Sequence, residues 1–172
     1  IIEEVAALFP SKYIHLGGDE AAVKENWAKC EHCRALMKEL GYEKPSQLMI
    51  PFFDRILGFV RNNGKKAILW CELDNMWPPA NDYLFPYPKD VTLVTWRNAL
   101  TPKCIELTRD NGHKLIMAPG EHTYLDYPQW QNDLPEFNNW GMPVTTLEES
   151  YMLDPGYSLP QERQQHIMGV MA

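Results

Sequence analysis

The sequence predicts an α/β fold with a parallel sheet, because short apolar strand candidates alternate with helical patterns. The strand candidates are nearly continuous apolar runs, which is typical of strands covered on both faces. Polar and aromatic side chains follow these strands directly, and a (β/α)₈ barrel gathers such side chains at the carboxyl ends of its strands. We therefore expect a (β/α)₈ barrel.

The strand candidates are Tyr13–Leu16, Ala67–Cys71, Val91–Trp96, Leu115–Ala118 and a weaker Ile167–Met171. Between the first two, apolar residues spaced by three and four predict an amphipathic helix over Gln47–Asn62. Pro51 lies inside that pattern, so the helix either kinks there or begins late. Thr101 and Pro102 resemble an N-cap followed by the first helical residue, and Asn111-Gly112 resembles the matching stop.

Composition narrows the function classes. The chain has 172 residues, 45% of them hydrophobic, and a formal charge of −7. An acidic protein without a basic stripe is a poor candidate for nucleic-acid binding. No apolar run approaches the ~20 residues that span a bilayer. Six tryptophans among twenty aromatic residues suit a carbohydrate-binding protein, although aromatic side chains also fill ordinary cores.

The four cysteines predict no metal centre. Cys30 and Cys33 form one Cys-x-x-Cys pair, whereas Cys71 and Cys104 stand alone, and a zinc site normally needs two such pairs. The pair is open to three interpretations: a local disulfide, a redox pair, or two half-buried thiols on a helix. We favour a structural role, because nothing resembling a thioredoxin surrounds the pair. Neither G-x-G-x-x-G nor a Walker loop occurs, and we expect no cofactor.

Two carboxylic acids side by side carry the strongest chemical signal. Asp19 and Glu20 follow the first strand candidate and the glycines Gly17 and Gly18, which we interpret as room for a ligand to approach the backbone. Adjacent acids repel, so that one stays ionised while the pKa of the other rises, and general acid catalysis at neutral pH requires that division. A solvated loop would explain the acids alone, but not the glycines and the strand before them.

The segment Tyr13-Ile-His-Leu-Gly-Gly-Asp-Glu20 resembles the catalytic signature of family 20 glycoside hydrolases, the β-N-acetylhexosaminidases. The resemblance continues in register over almost the whole chain. It includes Trp70, Val94-Thr95-Trp96-Arg97, Gly112-His113-Lys114 to Met117-Ala118-Pro119, Tyr124-Leu125-Asp126-Tyr127, Tyr151-Met152-Leu153-Asp154-Pro155 and Gly169-Val170-Met171-Ala172.

The resemblance implies a retaining glycosidase that removes terminal β-linked N-acetylglucosamine or N-acetylgalactosamine from a glycan by substrate assistance. In this scheme Glu20 is the general acid and base, and Asp19 orients the acetamido group. The other implied site residues are Tyr124 as a hydrogen-bond donor to the acetamido oxygen, Trp70 and Trp96 as walls around its methyl group, and Asp126 as a partner of a ring hydroxyl. The family also implies a secreted, periplasmic or cell-surface location.

The chain departs from the family pattern at two positions. Cys71 stands where the family commonly has an acid, and Met171 stands where its last strand usually carries glutamine. The resemblance also places the first three barrel strands before Ile1, and a tryptophan and a glutamate beyond Ala172. The fold that it implies is therefore a partial (β/α)₈ TIM barrel, roughly strands 4 to 8 with their helices. Because a full barrel takes about 250 residues, we expect residues 1–172 to be one incomplete catalytic domain that is inactive and prone to self-association when isolated.

Two other functions fit the same residues. One is a non-catalytic N-acetylhexosamine-binding barrel protein, and the other is a barrel hydrolase in which a carboxylate attacks directly. Trp70 and Trp96 could also be core residues.

For residues near the motifs, the sequence favours structural roles. We interpret His15 as a hydrogen-bonded strand residue, Glu72 and Arg97 as an ion pair, and His122 and Asp82 as loop residues.

Overall fold

The computed structural model describes residues 1–21, 26–71, 87–130 and 142–172. The chain divides into two compact units, Ile1–Val91 and Thr92–Ala172. Each unit contains strands and helices. The predicted Glu72 and Asp82 roles fall outside the described residues.

The first unit is a βαβ arrangement preceded by a short helix. Helix α1 (Ile2–Leu8) leads into strand β1 (Tyr13–His15), and β1 pairs in parallel with β2 (Lys66–Trp70). Helix α2 (Glu31–Leu40) and helix α3 (Met49–Asn62) lie between the two strands in sequence. A 3₁₀ turn over Pro45–Leu48 precedes α3.

Helix α3 confirms the predicted amphipathic helix and settles how it accommodates Pro51. The α-helix begins at Met49, so Pro51 lies in its first turn, where backbone N–H groups have no partner within the helix. Its buried residues, Met49, Phe53, Leu57 and Val60, follow the predicted spacing. Burying one such side chain contributes about 1.5–3 kcal/mol, so this face holds α3 against the sheet.

The second unit contains three parallel strands in chain order: β3 (Thr92–Thr95), β4 (Lys114–Met117) and β5 (Ile167–Val170). Every residue of β3 is buried, as its continuous apolar pattern predicted. The β4–β5 register shifts between Leu115 and Ile116, which pair with Ile167 and Gly169. All five predicted strands are therefore present.

Helix α4 (Thr101–Asn111) connects β3 to β4 and ends as predicted at Gly112, whose φ of 77° is left-handed. Its predicted start is wrong by one residue, because Leu100 is the N-cap and Thr101 is already helical. The Thr101 hydroxyl donates to the Arg97 carbonyl at 3.0 Å and lies 3.2 Å from the Thr95 hydroxyl. Those contacts occupy the oxygen that would otherwise cap the helix.

Three short helices complete the second unit: α5 (Gly120–Thr123), α6 (Leu147–Tyr151) and α7 (Gln161–Gln164). Among the described residues, no helix has the length and apolar character that a membrane crossing requires.

Candidate active site

The loop after β1 carries the two predicted catalytic acids. Backbone bonds fasten its beginning to β2: Leu16 N–H donates to Ile68 at 2.9 Å, and Trp70 N–H donates to Gly17 at 3.0 Å. Gly17 and Gly18 then adopt φ values of 74° and 96°, in the region that favours glycine. The loop therefore turns sharply away from the sheet at the end of β1.

Asp19 and Glu20 are both exposed at the end of this turn. Glu20 has a φ of 47°, which is left-handed for a residue with a side chain. Such a conformation costs about 1–3 kcal/mol and persists only where the surroundings impose it. Backbone strain at Glu20 is typical of functional sites, where the position of a side chain is maintained at a cost in folding stability.

His15 is the hydrogen-bonded strand residue that we predicted. Its Nδ1 accepts the backbone N–H of Gly17 at 3.0 Å. The imidazole also meets the edge of Trp70, with ring centroids 4.9 Å apart and planes 61° apart. Partial burial lowers the pKa of His15, and the nearby Asp19 charge opposes that shift. A neutral ring keeps Nδ1 available as an acceptor, so the hydrogen bond to His15 holds the loop backbone at Gly17.

Gly18 packs against three buried side chains that the sequence did not connect with the acids. A methyl group in place of its hydrogen would lie 3.0 Å from Phe53 Cζ, 3.4 Å from Leu69 Cδ2 and 3.6 Å from the Tyr87 hydroxyl. We call Phe53, Leu69 and Tyr87 the Gly18 floor. The floor residues are far from Gly18 in sequence, so no local motif could have revealed them.

In the second unit, Trp96 and Arg97 directly follow β3. The Arg97 guanidinium lies over the Trp96 ring, with its central carbon 4.4 Å from the ring centroid, which is a cation–π contact. The Trp96 carbonyl accepts the Gly120 N–H at 2.8 Å and so connects the loops after β3 and β4. Trp96 and, in the first unit, Trp70 are only half-buried, unlike the fully buried residues of the cores.

Tyr124 and Asp126 follow α5 on the loop after β4. The Tyr124 N–H donates to the Gly120 carbonyl at 3.1 Å, and its ring meets Tyr127 edge to face at 5.4 Å. Tyr127 is buried, and a methyl group on Gly120 would lie 2.8 Å from its hydroxyl. Burial raises the pKa of Tyr127, and the charge of Glu121 adds to that shift. Asp126 is exposed.

The six predicted site residues divide evenly between the units. Asp19, Glu20 and Trp70 belong to the first, and the second contains the other three, Trp96, Tyr124 and Asp126. Within each unit the predicted residues lie at or just beyond the ends of strands, as expected.

The structure shows the surroundings of three further residues that the sequence singled out. His122 is not a loop residue: it lies in α5, and its Nδ1 is 2.7 Å from the Glu149 carbonyl oxygen. Cys71 is fully buried, so its thiol presents no surface to a substrate. Met171 continues β5, with its N–H donating to Met117 at 2.9 Å.

Cys30 and Cys33 are both free thiols. Cys30 is the N-cap of α2, and its sulfur accepts the Cys33 N–H at 3.3 Å. The structure therefore places the pair as half-buried thiols at a helix start, one of the three interpretations. Across the described part of the chain, no group of three His, Cys, Asp or Glu side chains could hold a metal ion.

Comparison with known proteins identifies the family. The model for "Glycosyl hydrolase family 20, catalytic domain" matches residues 1–172. The chain belongs to glycoside hydrolase family 20. Among curated relatives, this family 20 chain is 35% identical to a beta-hexosaminidase of Akkermansia muciniphila, covering 100% of this chain and 32% of that protein. A beta-hexosaminidase of Vibrio furnissii is 30% identical, covering 99% of this chain and 26% of that protein.

Solved structures support the same assignment. A beta-N-acetylhexosaminidase crystal structure superposes with a TM-score of 0.81 at 34% identity, covering 99% of this chain and 34% of that one. An exo beta-N-acetylglucosaminidase of Vibrio harveyi, solved in complex with N-acetylglucosamine, gives 0.74 at 28% identity, with 98% and 25% covered. The predicted α/β fold of the family 20 barrel is thus confirmed. The chain spans about a third of the length of the first of these relatives.

Proposed function

We propose that the protein is a retaining β-N-acetylhexosaminidase that removes terminal β-linked N-acetylhexosamine from glycans by substrate assistance. The observation that carries the proposal is the exposed Asp19-Glu20 pair, held on a glycine turn at the end of β1, in a chain of family 20. The relatives at full length are hexosaminidases, and this chain matches about a third of the first of them. Activity is therefore proposed for the whole enzyme that contains these residues.

In the first step the acetamido oxygen of the substrate bonds to the anomeric carbon while the glycosidic bond breaks. Glu20 gives its proton to the leaving oxygen as that bond breaks. The product of this step is an oxazolinium ion, and the aglycone leaves as an alcohol. Asp19 accepts a hydrogen bond from the acetamido N–H, and its charge stabilises the positive charge that develops on the ring.

In the second step water attacks the anomeric carbon from the face that the aglycone left. The Glu20 carboxylate takes a proton from that water, and the carbon–oxygen bond to the acetamido group breaks. Each step inverts the configuration at the anomeric carbon, so the product keeps the configuration of the substrate. Glu20 also regains the proton that it needs for the next turnover.

The other proposed residues hold the acetamido group during this sequence. Tyr124 would donate its hydroxyl to the acetamido oxygen, and Trp70 and Trp96 would enclose the methyl group. Asp126, which is exposed on the loop after β4, would accept a hydrogen bond from a ring hydroxyl. An attacking amide needs its N–H held by an anion and its methyl group held by apolar walls, and these residue types provide both.

A thiazoline that mimics the cyclised acetamido group tests the proposal. Substrate assistance predicts that it inhibits the whole enzyme far more tightly than N-acetylglucosamine does, because it resembles the intermediate. Hydrolysis without such inhibition would favour direct attack by a carboxylate. Binding of N-acetylglucosamine without hydrolysis of any aryl N-acetylhexosaminide would favour a sugar-binding protein.

A further inference from the structure

The Gly18 floor lies immediately beneath the residue that precedes the two acids. Its closest approach is 3.0 Å, between Phe53 Cζ and the position that a methyl group on Gly18 would take. That distance is shorter than ordinary van der Waals contact, so even a methyl group does not fit between the Gly18 backbone and the ring unless one of them shifts.

Secondary structure and aromatic packing fix the floor itself. Phe53 lies in the second turn of α3 and Leu69 lies in β2, and both are buried. Tyr87 packs edge to face on Phe53, with ring centroids 5.4 Å apart and planes 80° apart. Burial raises the pKa of Tyr87, so its hydroxyl stays neutral at physiological pH. Neither ring can move far, because a closely packed interior leaves little free space.

The Gly18 floor contacts the β1 loop at the first residue after its last backbone hydrogen bond to β2. Backbone hydrogen bonds fasten the β1 loop to β2 as far as the Gly17 carbonyl, which accepts the Trp70 N–H. The next residue, Gly18, meets Phe53 and Tyr87, and Asp19 and Glu20 follow it. A shift of the floor would therefore move the carboxylates while leaving β1 in place.

We propose that Phe53 and Tyr87 are positioning residues, whose packing under Gly18 holds Asp19 and Glu20 in their working positions. This inference rests on the proposed function. Neither side chain would touch substrate, since both are buried beneath the loop. Their effect on the rate would come through the placement of the two acids, and misplacing a catalytic group by about 1 Å can cost on the order of 100-fold in rate.

The test compares Phe53→Leu with Phe59→Leu in the whole enzyme. Both phenylalanines lie in α3, but Phe59 is 40% exposed and Phe53 is 3% exposed. Phe53→Leu removes the ring beneath Gly18 and keeps an apolar side chain. We expect it to lower kcat by about tenfold or more and to change KM by less than about threefold, because the contacts that it disturbs strengthen in the transition state. Phe59→Leu should leave both constants unchanged.

The dependence on the leaving group separates positioning from a loss of folded enzyme. Fewer folded molecules lower the rates on all substrates by one factor, whereas a displaced Glu20 matters most when the leaving oxygen needs a proton. Phe53→Leu should therefore lose more activity on an N-acetylglucosamine disaccharide than on an activated aryl N-acetylglucosaminide. Equal losses on both substrates, or no loss on either, would overturn the proposal.

Tyr87 supplies a second pair of variants in case Phe53→Leu does not fold. Tyr87→Phe keeps the ring and should keep kcat within about threefold, whereas Tyr87→Leu removes the ring and should reproduce the leaving-group effect of Phe53→Leu. Equal leaving-group behaviour in Tyr87→Leu and the unmodified enzyme would count against the proposal. If the unmodified enzyme hydrolyses neither substrate, the proposed function fails instead, so the two failures are distinguishable.

Discussion

Replacing Gly18 by alanine should destabilise the protein through two separable effects. Its φ of 96° is left-handed, and an added Cβ in that region costs about 1–2 kcal/mol. The new methyl group would also lie 3.0 Å from Phe53 Cζ and 3.4 Å from Leu69 Cδ2, and overpacking of this kind typically costs about 1–3 kcal/mol. Together the two effects lower the free energy of unfolding by about 2–5 kcal/mol.

Two other glycines separate the effects. Gly64 has a φ of 67° and nothing within 4 Å of an added methyl group, so Gly64→Ala should show the backbone cost alone, about 1–2 kcal/mol. Gly58 lies inside α3, also with open space around it, and Gly58→Ala should stabilise the helix by about 0.5–1 kcal/mol. The expected order of stability is therefore Gly58→Ala, the unmodified protein, Gly64→Ala and Gly18→Ala.

Calorimetric unfolding of the unmodified protein and the three variants measures this order. For a domain of 150–250 residues, each 1 kcal/mol shifts the midpoint by about 2–4 °C, so the separation expected between Gly18→Ala and Gly64→Ala is measurable. A Gly18→Ala midpoint equal to that of Gly64→Ala would refute the argument, because it would show that the floor accommodates a methyl group without cost.

Four further outcomes are expected. In the whole enzyme, Glu20→Gln should abolish most activity on substrates with poor leaving groups and much less on activated aryl glycosides; equal losses would exclude a general-acid role. Asp19→Ala should lower kcat more than it raises KM, and a change confined to KM would contradict its role in the transition state. The Cys33 thiol donates a hydrogen bond to the Cys30 sulfur, which lowers the pKa of Cys30 and raises the pKa of Cys33. Cys30 should therefore be alkylated before Cys33 near pH 8, as measured by mass spectrometry. The reverse order would contradict the hydrogen bond. Two backbone N–H groups lower the pKa of Asp154 below its ordinary 3.8, so its stabilisation is complete at neutral pH and is lost as pH falls below that value. Asp154→Ala should accordingly reduce the unfolding midpoint more at pH 7 than at pH 2, and an equal reduction at both would contradict the pKa shift.

The strands and the main helix could be predicted because their signals are local. Short apolar runs that alternate with helical patterns identified all five strands, and the spacing of Phe53, Leu57 and Val60 identified α3. The start of α4 depended on contacts that sequence spacing does not encode. Thr101 has the residue type of an N-cap, but its hydroxyl bonds the Arg97 carbonyl and contacts Thr95.

The candidate site could be predicted only as far as its polar residues. Asp19 and Glu20 are conspicuous because two acids follow a strand and two glycines. Tyr87 lies in a proline-rich stretch without any periodicity, and its role under Gly18 depends on a contact made across 69 positions of sequence. Cys30 was also missed as an N-cap, since sulfur is not among the side chains that commonly fill that position.

The structure gives a different reason for a glycine at position 18 from the one that the sequence suggested. The glycines before Asp19 were interpreted as space for a ligand to approach the backbone, yet the space beside Gly18 faces Phe53, Leu69 and Tyr87. Glycine is required there because the chain turns at a positive φ while lying against a ring, and any larger residue would lift the turn away from the floor. Gly17 has a similar φ, but the nearest atom to an added methyl group is an Asp19 oxygen 3.9 Å away, so packing does not restrict it in the same way. Gly17→Ala should therefore lower the free energy of unfolding only by the backbone cost of about 1–2 kcal/mol, as at Gly64. If Gly17→Ala cost as much as Gly18→Ala, backbone conformation alone, without the floor, would determine the sequence of this turn.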